Sequence, residues 1–441
     1  STSIFYSMGT AFALCILYIY LINIFAEYLA WGLVILTQLG LIAVAGGAFV
    51  YRGQLAKEAA AVNSTPDAEQ QKSLLIMGIM AGLFSMLFAC MIFCGYSQLK
   101  TAIDVIDAAA DFLAKTKRIL AVPVLYFFIT MIVIAVWMGA MMALLSMGEI
   151  TAKDNQQKSV DIDNDPKLEK KMFYMGLFMF FGLLWIVNFL KAQSSFITMV
   201  ATATYYFDSN PERDGNADVG LGFKFAFMFH AGSIAFGSFI IALVQFIRTV
   251  FAVLAEQAEN ASGDNAAVKI MIACGKCCLK CIEKIVDYIN TMAYGYMAVS
   301  GDSFCSSAWN GFLLNLKYGL EFAWANFIAS AFILLGKIGL TVLNTFICFQ
   351  FMKARGDLEE VHSVGGPLAI ILLVTFAAAN IFLSLFDEAV LAMLVCLCVD
   401  KQINGGEAQK GPPTFHDSFE KGQNHDQNKV RDDDFSANQV A

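Results

Sequence analysis

Charged residues are scarce in this sequence: Asp, Glu, Lys and Arg together fill 15% of its 441 positions, whereas about a quarter is usual in soluble domains. Hydrophobic residues fill 58%, and the mean hydropathy is +0.61. Lipid has to solvate an apolar surplus of this size. We therefore interpret the chain as an all-α protein, a polytopic bundle of transmembrane helices with about nine spans.

The sequence also lacks the motifs of common catalytic and nucleotide-binding sites. It has no G-x-x-x-x-G-K-[ST], no H-E-x-x-H and no nucleophile elbow, and its four histidines are scattered. The net charge of −8 and the absence of a continuous basic stripe argue against nucleic acid as a partner. We predict no enzymatic activity, no cofactor and no metal site.

Long apolar segments are abundant, and crossing a bilayer takes roughly 20 apolar residues. Eight segments pass this test clearly, and a ninth, 267–298, is interrupted by lysines and either crosses or lies in the interface. After them, the polar segment 401–441 predicts a disordered cytoplasmic tail. The predicted spans are 4–25, 30–51, 73–96, 119–147, 172–193, 225–252, 267–298, 323–351 and 367–398.

Two sequons and one basic cluster indicate the orientation of the chain. Asn63 and Asn260 begin N-x-[ST] sequons in loops separated by four predicted crossings, so both would be external and glycosylated. A cluster around Lys115 favours the cytoplasm for the loop after the third span. Reversible palmitoylation of the cysteines at 274–281 would require a cytoplasmic position, which conflicts with an external Asn260.

Five sequence blocks carry a resemblance to a known family. They are LWIVNF with ATATYYF (184–189 and 201–207), HAGSIAFGS (230–238), CCLKCIEK (277–284) continuing to Phe304-Cys305, LLGK (334–337), and the end of the last span (386–400). In order and spacing, these blocks resemble the choline transporter-like family of solute carriers. Family members look like ten-span proteins, so this chain resembles one that lacks the first span and the large external domain after it.

The resemblance implies transport of choline or a related organic cation, either facilitated or by proton exchange. A quaternary ammonium group is best held by aromatic faces, each contact contributing roughly 0.5–2 kcal/mol. Aromatic residues that fall in the matching blocks are therefore the predicted substrate-binding residues, although each could instead pack against lipid. They are Trp185, Tyr205, Tyr206, Phe236, Tyr294 and Tyr296.

Charged residues inside the spans are the second set of candidates, because each costs a few kcal/mol to insert. Lys337 lies in the middle of the span 323–351, and Asp387 and Glu388 interrupt the apolar run of the last span. We predict an intramembrane pair of Lys337 with Asp387 or Glu388. It would act either as a coupling group or as a fixed bridge between two helices.

Departures from the family pattern leave a second function open. Phe207, Met292, Ser300, Asp302 and Leu391 stand where family members usually carry aromatic or charged residues. The alternative is a non-transporting structural or accessory subunit of a membrane complex, and a lipid-handling protein is a third reading. The expected partners are a small organic cation, membrane lipids and other membrane proteins, in the plasma membrane, an endomembrane or a mitochondrial membrane.

Overall fold

A computed structural model describes residues 2–61, 68–146, 166–262, 265–355, 365–413 and 415. These residues form eleven α-helices, a short 3₁₀ turn at Lys117–Leu120 and a π-helical turn at Phe225–Phe229. Within the described ranges the extended structure is limited to one isolated bridge between Asn210 and Arg213. The predicted all-α class is therefore confirmed. Helices suit a bilayer because each helix satisfies its own backbone hydrogen bonds, which lipid cannot do.

The chain divides into two compact units. Unit 1 contains residues 1–115, 206–215 and 317–441, and unit 2 contains residues 116–205 and 216–316. The helices, in chain order, are α1 Thr2–Ala61, α2 Ala68–Cys94, α3 Tyr96–Lys115, α4 Ala121–Ser146, α5 Pro166–Asp208, α6 Val219–Lys224, α7 Ala231–Ser262, α8 Ala266–Ser300, α9 Phe304–Lys317, α10 Gly319–Arg355 and α11 Gly365–Ile403.

Seven helices within the described residues are long and apolar enough to cross a membrane, so the count of about nine spans is not confirmed. Two differences explain why seven helices stand where the sequence predicts nine spans. Helix α1 runs unbroken for 60 residues through the region where the sequence predicts two spans, since residues 26–29 contain neither proline nor glycine to end it. Helix α8 coincides with the predicted span 267–298 but carries too many charges to belong to the seven.

Unit 1 is built around α3, which packs against α1, α10 and α11. Its apolar positions recur every three to four residues, and Ile103, Ile106 and Phe112 are fully buried. Helix α10 approaches α1 and α11 closely at Gly336, where a Cβ atom would lie 2.5 Å from the Tyr18 ring. A polar cluster joins the same three helices, because Asn344 accepts a hydrogen bond from Thr10 (2.6 Å) and donates one to Thr375 (2.7 Å).

The first part of the predicted tail is packed against unit 1. Helix α11 ends at Ile403, and the chain then turns through Gly405 and Gly406, whose positive φ angles favour glycine. Phe415 is buried and its ring contacts Tyr206. The polar segment therefore begins with an ordered stretch, residues 404–413 and 415, which we call the strap and which the buried Phe415 anchors. The positions after 415 lie outside the described residues.

Unit 2 consists of α4, α6, α7, α8 and most of α5 and α9. The Trp137 indole on α4 donates to the Met179 carbonyl on α5 (3.0 Å). Helices α7 and α8 meet closely at Gly237, whose missing side chain leaves room for Tyr294 and Phe304. Asn290 on α8 donates to the Gly237 carbonyl (2.8 Å), which fixes this approach.

Candidate functional site: a polar cleft in unit 2

Polar side chains line facing surfaces of α5, α7 and α8. On each helix they recur at intervals of three, four or seven residues, which places them on one helical face. Helix α5 contributes Asn188 and Lys191, α7 contributes Gln245 and Arg248, and α8 contributes Lys280, Glu283, Lys284 and Asp287. We call this group of eight residues the polar cleft.

The cleft holds a cavity of about 370 Å³ lined by the charged residues of the group. A smaller cavity of about 30 Å³ shares Lys191, Ile241 and Asp287 with it and continues to Asn290 and Tyr294. The larger volume is of the size that binds small molecules. The smaller one is comparable to the volume of one water molecule.

Three polar contacts cross the cleft. The Asn188 amide donates to Gln245 Oε1 (2.7 Å), joining α5 to α7. Arg248 Nε lies 2.8 Å from Glu283 Oε2 in an ion pair whose N–H does not point at the oxygen. Lys191 Nζ lies 3.8 Å from Asp287 Oδ1, and these two side chains are 66% and 54% exposed. The last pair is long and solvated, so it contributes little to stability.

The charges of the cleft do not balance. Four cationic side chains face two carboxylates, which leaves an excess of two positive charges. Lys280 and Lys284 make no ion pair with any residue in the described parts of the chain. Asp287 is already paired with Lys191. A cation that binds Asp287 would have to compete with that lysine.

The predicted aromatic residues of unit 2 occupy different surroundings. Tyr294 is buried, lines the small cavity and donates to the Ile234 carbonyl (3.4 Å). The Trp185 indole donates to the Ala235 carbonyl (3.1 Å) and its ring packs on Phe239. Phe236 and Tyr294 both contact the ring of Phe304. Tyr205 is buried and Tyr296 is half-buried.

The other predicted site residues lie in unit 1, at the end of α7 or outside the described residues. Tyr206 is buried and bonded to Asp400. Lys337 is half-buried on α10, Asp387 is exposed and Glu388 half-buried on α11, and their pairing stays a prediction. Asn260 is exposed in the last turn of α7, so its sequon lies at a helix end and not in the predicted loop. Asn63 lies outside the described residues.

None of the eight cleft residues is among the site residues that the sequence predicts, and Asp287 is the most consequential of those missed. A signal for this polar face was present in the sequence. Charged residues stand at positions i, i+3, i+4 and i+7 of a segment that is otherwise rich in apolar residues: Lys280, Glu283, Lys284 and Asp287. A charged stripe of this kind marks a polar face. Its partners on α5 and α7 could not be read from the local sequence.

Comparison with known proteins identifies the family. A family profile described as plasma-membrane choline transporter matches residues 79–402. The chain belongs to this family. It is 25% identical over 415 residues to choline transporter-like protein 2 of Dictyostelium discoideum, covering 92% of this chain and 64% of the relative.

Animal relatives give the same result. Choline transporter-like protein 1 of Rattus norvegicus is 26% identical over 394 residues, which is 88% of this chain and 58% of the relative. Choline transporter-like protein 5 of Xenopus tropicalis is 30% identical over 236 residues, covering 52% of this chain and 33% of the relative. The chain thus spans about three fifths of the length of the first two relatives. It is an integral membrane protein related to choline transporters.

Proposed function

We propose that this choline transporter-like protein carries choline or a related organic cation across its membrane, and that the polar cleft of unit 2 is where the cation binds. The observation that carries the proposal is the loose Lys191–Asp287 pair, which sits at the junction of the two cavities. Family membership supports the substrate class and favours transport over catalysis.

The binding step follows from the chemistry of a quaternary ammonium group. Such a group forms no hydrogen bond, so a carboxylate and an aromatic face are its best partners. Asp287 supplies the carboxylate, and Tyr294, which lines the same small cavity, supplies the aromatic face. The arriving cation takes the place of the Lys191 ammonium, which swings into the solvated cavity on its flexible stem.

Transport then requires the helices around the cleft to open alternately to each side. The membrane potential drives a monovalent cation with about 2.3 kcal/mol per 100 mV, which is enough for facilitated uptake without a second ion. Proton exchange at Asp387 or Glu388 is the coupled version of the same proposal. In both versions the plasma membrane is the proposed location.

The test is uptake of labelled choline by proteoliposomes containing the purified chain. We expect saturable uptake that a potential, negative inside, accelerates. Asp287→Asn keeps the size of the side chain and removes its charge, so the KM for choline should rise about tenfold, the equivalent of roughly 1.4 kcal/mol. Glu256→Gln removes an exposed carboxylate of α7 outside the cleft and should leave KM unchanged.

A non-transporting accessory subunit is the second candidate. The excess positive charge of the cleft favours it, because Lys280 and Lys284 repel an organic cation. This candidate predicts no saturable uptake in proteoliposomes, together with partner proteins that co-purify in fixed proportion. An uptake rate equal to that of empty liposomes would therefore reject the carrier and support the subunit.

A further inference from the structure

Two lysines of the polar cleft carry its excess positive charge. Lys280 and Lys284 line the cavity of about 370 Å³, and neither forms an ion pair with any residue in the parts of the chain that the structure describes. The other four charged side chains of the cleft form two ion pairs. The uncompensated charge is therefore confined to one turn of α8.

Two ammonium groups one helical turn apart suit a phosphate group. Side chains at positions i and i+4 are neighbours on a helix surface, where like charges repel each other, and Lys280 and Lys284 have this spacing. A bound anion relieves that repulsion. A phosphate monoester carries a charge of about −1.5 to −2 at pH 7 and three acceptor oxygens, which matches the excess of two positive charges in the cleft.

A carboxylate stands next to this pair of lysines. Asp287 follows Lys284 by three residues, so their Cα atoms are separated by about 4.5 Å along the helix axis. Positions i and i+3 also share one side of a helix. A ligand that joins an ammonium group to a phosphate group through a two-carbon bridge therefore has the right length to contact Asp287 and Lys284 together.

The two cavities separate the two kinds of charge. Lys280 and Lys284 line the larger cavity and not the smaller one, whereas Asp287 lines both. The smaller cavity continues from Asp287 to Tyr294, whose ring is proposed above as the aromatic face for the ammonium group. A phosphate group at the two lysines and an ammonium group at Asp287 would thus each meet favourable partners in one continuous cleft.

We propose that the polar cleft recognises an organic cation that also carries a phosphate monoester, with phosphocholine as the simplest example. Lys280 and Lys284 hold the phosphate, and Asp287 holds the quaternary ammonium group. The inference rests on the proposed function, which places the ammonium group at Asp287, and it narrows the substrate class. It also gives a role in recognition to the two lysines that oppose the binding of choline alone.

The same ammonium and phosphate groups occur in a soluble metabolite and in a lipid headgroup. In phosphatidylcholine the phosphate is a diester with a single negative charge, which leaves one of the two excess positive charges uncompensated. A soluble monoester compensates both. The charge of the cleft therefore favours the soluble ligand, and a short-chain phosphatidylcholine provides the comparison that separates the two sources.

The test is equilibrium dialysis of labelled phosphocholine against the purified full chain, in a detergent without a phosphocholine headgroup. Choline, inorganic phosphate and dihexanoylphosphatidylcholine are the unlabelled competitors. We expect phosphocholine to bind about tenfold more tightly than choline or inorganic phosphate, since it gains charge-assisted contacts at both ends, and more tightly than the short-chain lipid.

Two variants test the two ends of the ligand. Replacing Lys280 and Lys284 together by glutamine should weaken phosphocholine binding about tenfold and strengthen choline binding, because the repulsion is removed. Asp287→Asn should reduce the affinity for phosphocholine to that for inorganic phosphate. The matched control replaces Lys72 and Lys353, two exposed lysines of unit 1, by glutamine, and it should bind phosphocholine as the wild type does.

Three results would overturn the proposal. The first is a wild-type chain that binds phosphocholine no more tightly than choline, an outcome that needs no variant to fold. The second is phosphocholine binding that Asp287→Asn leaves unchanged, which would indicate a site for anions only. The third is tighter binding of the short-chain lipid than of phosphocholine, which would indicate a lipid headgroup site.

The binding measurement is separate from the uptake measurement. Saturable choline uptake without a preference for phosphocholine would reject the phosphate site and leave the proposed carrier standing. Tight phosphocholine binding that depends on both lysines and on Asp287, without uptake of choline, would support the phosphate site and reject choline as the transported substrate.

Discussion

The Tyr206 hydroxyl donates a hydrogen bond to Asp400 Oδ2 at 3.0 Å, joining the end of α5 to the end of α11 within unit 1. Asp400 is buried, and its carboxylate also accepts from the Asn404 side chain (2.6 Å) and the Lys410 backbone N–H (2.8 Å). Together these bonds hold the strap that follows α11 in place. They give Tyr206, a predicted substrate-binding residue, a structural partner.

Tyr206→Phe should therefore lower the stability of the purified chain by about 1–3 kcal/mol, because a buried carboxylate loses one donor. Thermal unfolding in detergent measures the loss. Tyr28→Phe is the matched control, since Tyr28 is exposed on α1. A variant with unchanged unfolding temperature and a raised KM for choline would instead support the binding role that the sequence predicts for Tyr206.

Lys191→Gln should act on KM in the direction opposite to Asp287→Asn. The substitution frees Asp287 from its internal competitor and removes one positive charge from the cleft. An exposed pair contributes at most about 1 kcal/mol, so the KM for choline should fall by up to about fivefold. A raised KM for this variant would contradict the exchange of the substrate with Lys191.

Asp107 should give unit 1 a pH-dependent stability. Burial and, after it, the negative charges of Asp111 and Glu27 raise the pKa of Asp107 to about 6, against the opposite effect of Lys115. Lys115 is itself held 3.3 Å from Asp111 and 2.6 Å from Asp214. Since the ordinary pKa is 3.8, the folded state binds more protons than the unfolded state between pH 4 and 6.

Stability attributable to Asp107 is therefore fully present below about pH 4 and is lost as the pH rises to about 6. Asp107→Asn should remove this dependence and make the chain more stable than the wild type above pH 6. Unfolding temperatures at pH 5 and pH 7.5 measure the difference. The exposed Glu212→Gln variant should keep the wild-type dependence; an equal slope in Asp107→Asn would contradict the assignment.

Gly237→Ala should weaken the contact between α7 and α8. The added methyl group would fall on the Tyr294 hydroxyl and the Phe304 ring, and overpacking of this kind costs typically 1–3 kcal/mol. Gly182→Ala in α5 is the matched control, because nothing lies within 4 Å of its added Cβ and alanine is the better helix former. Thermal unfolding should separate the two variants, and equal stability would contradict a close approach at Gly237.

Much of the secondary structure was predictable from the sequence. Six of the nine predicted spans each coincide with one long apolar helix. The exceptions are the first two spans, which fall in the single helix α1, and the charged span 267–298. Helix boundaries were harder. The predicted span 225–252 begins instead at Ala231, after the π-helical turn Phe225–Phe229. Hydropathy does not register such a turn, because its residues are as apolar as those of the helix that follows.

The sequence by itself determined that this chain is a helical membrane protein of the choline transporter-like family, because hydropathy and recognisable sequence blocks are properties of consecutive residues. Only the tertiary structure decided that Lys191 meets Asp287, that Tyr206 meets Asp400, and that Tyr294 lines a cavity. The physical reason is that lipid solvates any apolar helix face, so hydropathy leaves open which faces meet. The partner of a polar side chain depends on the rotation and depth of two helices far apart in the chain.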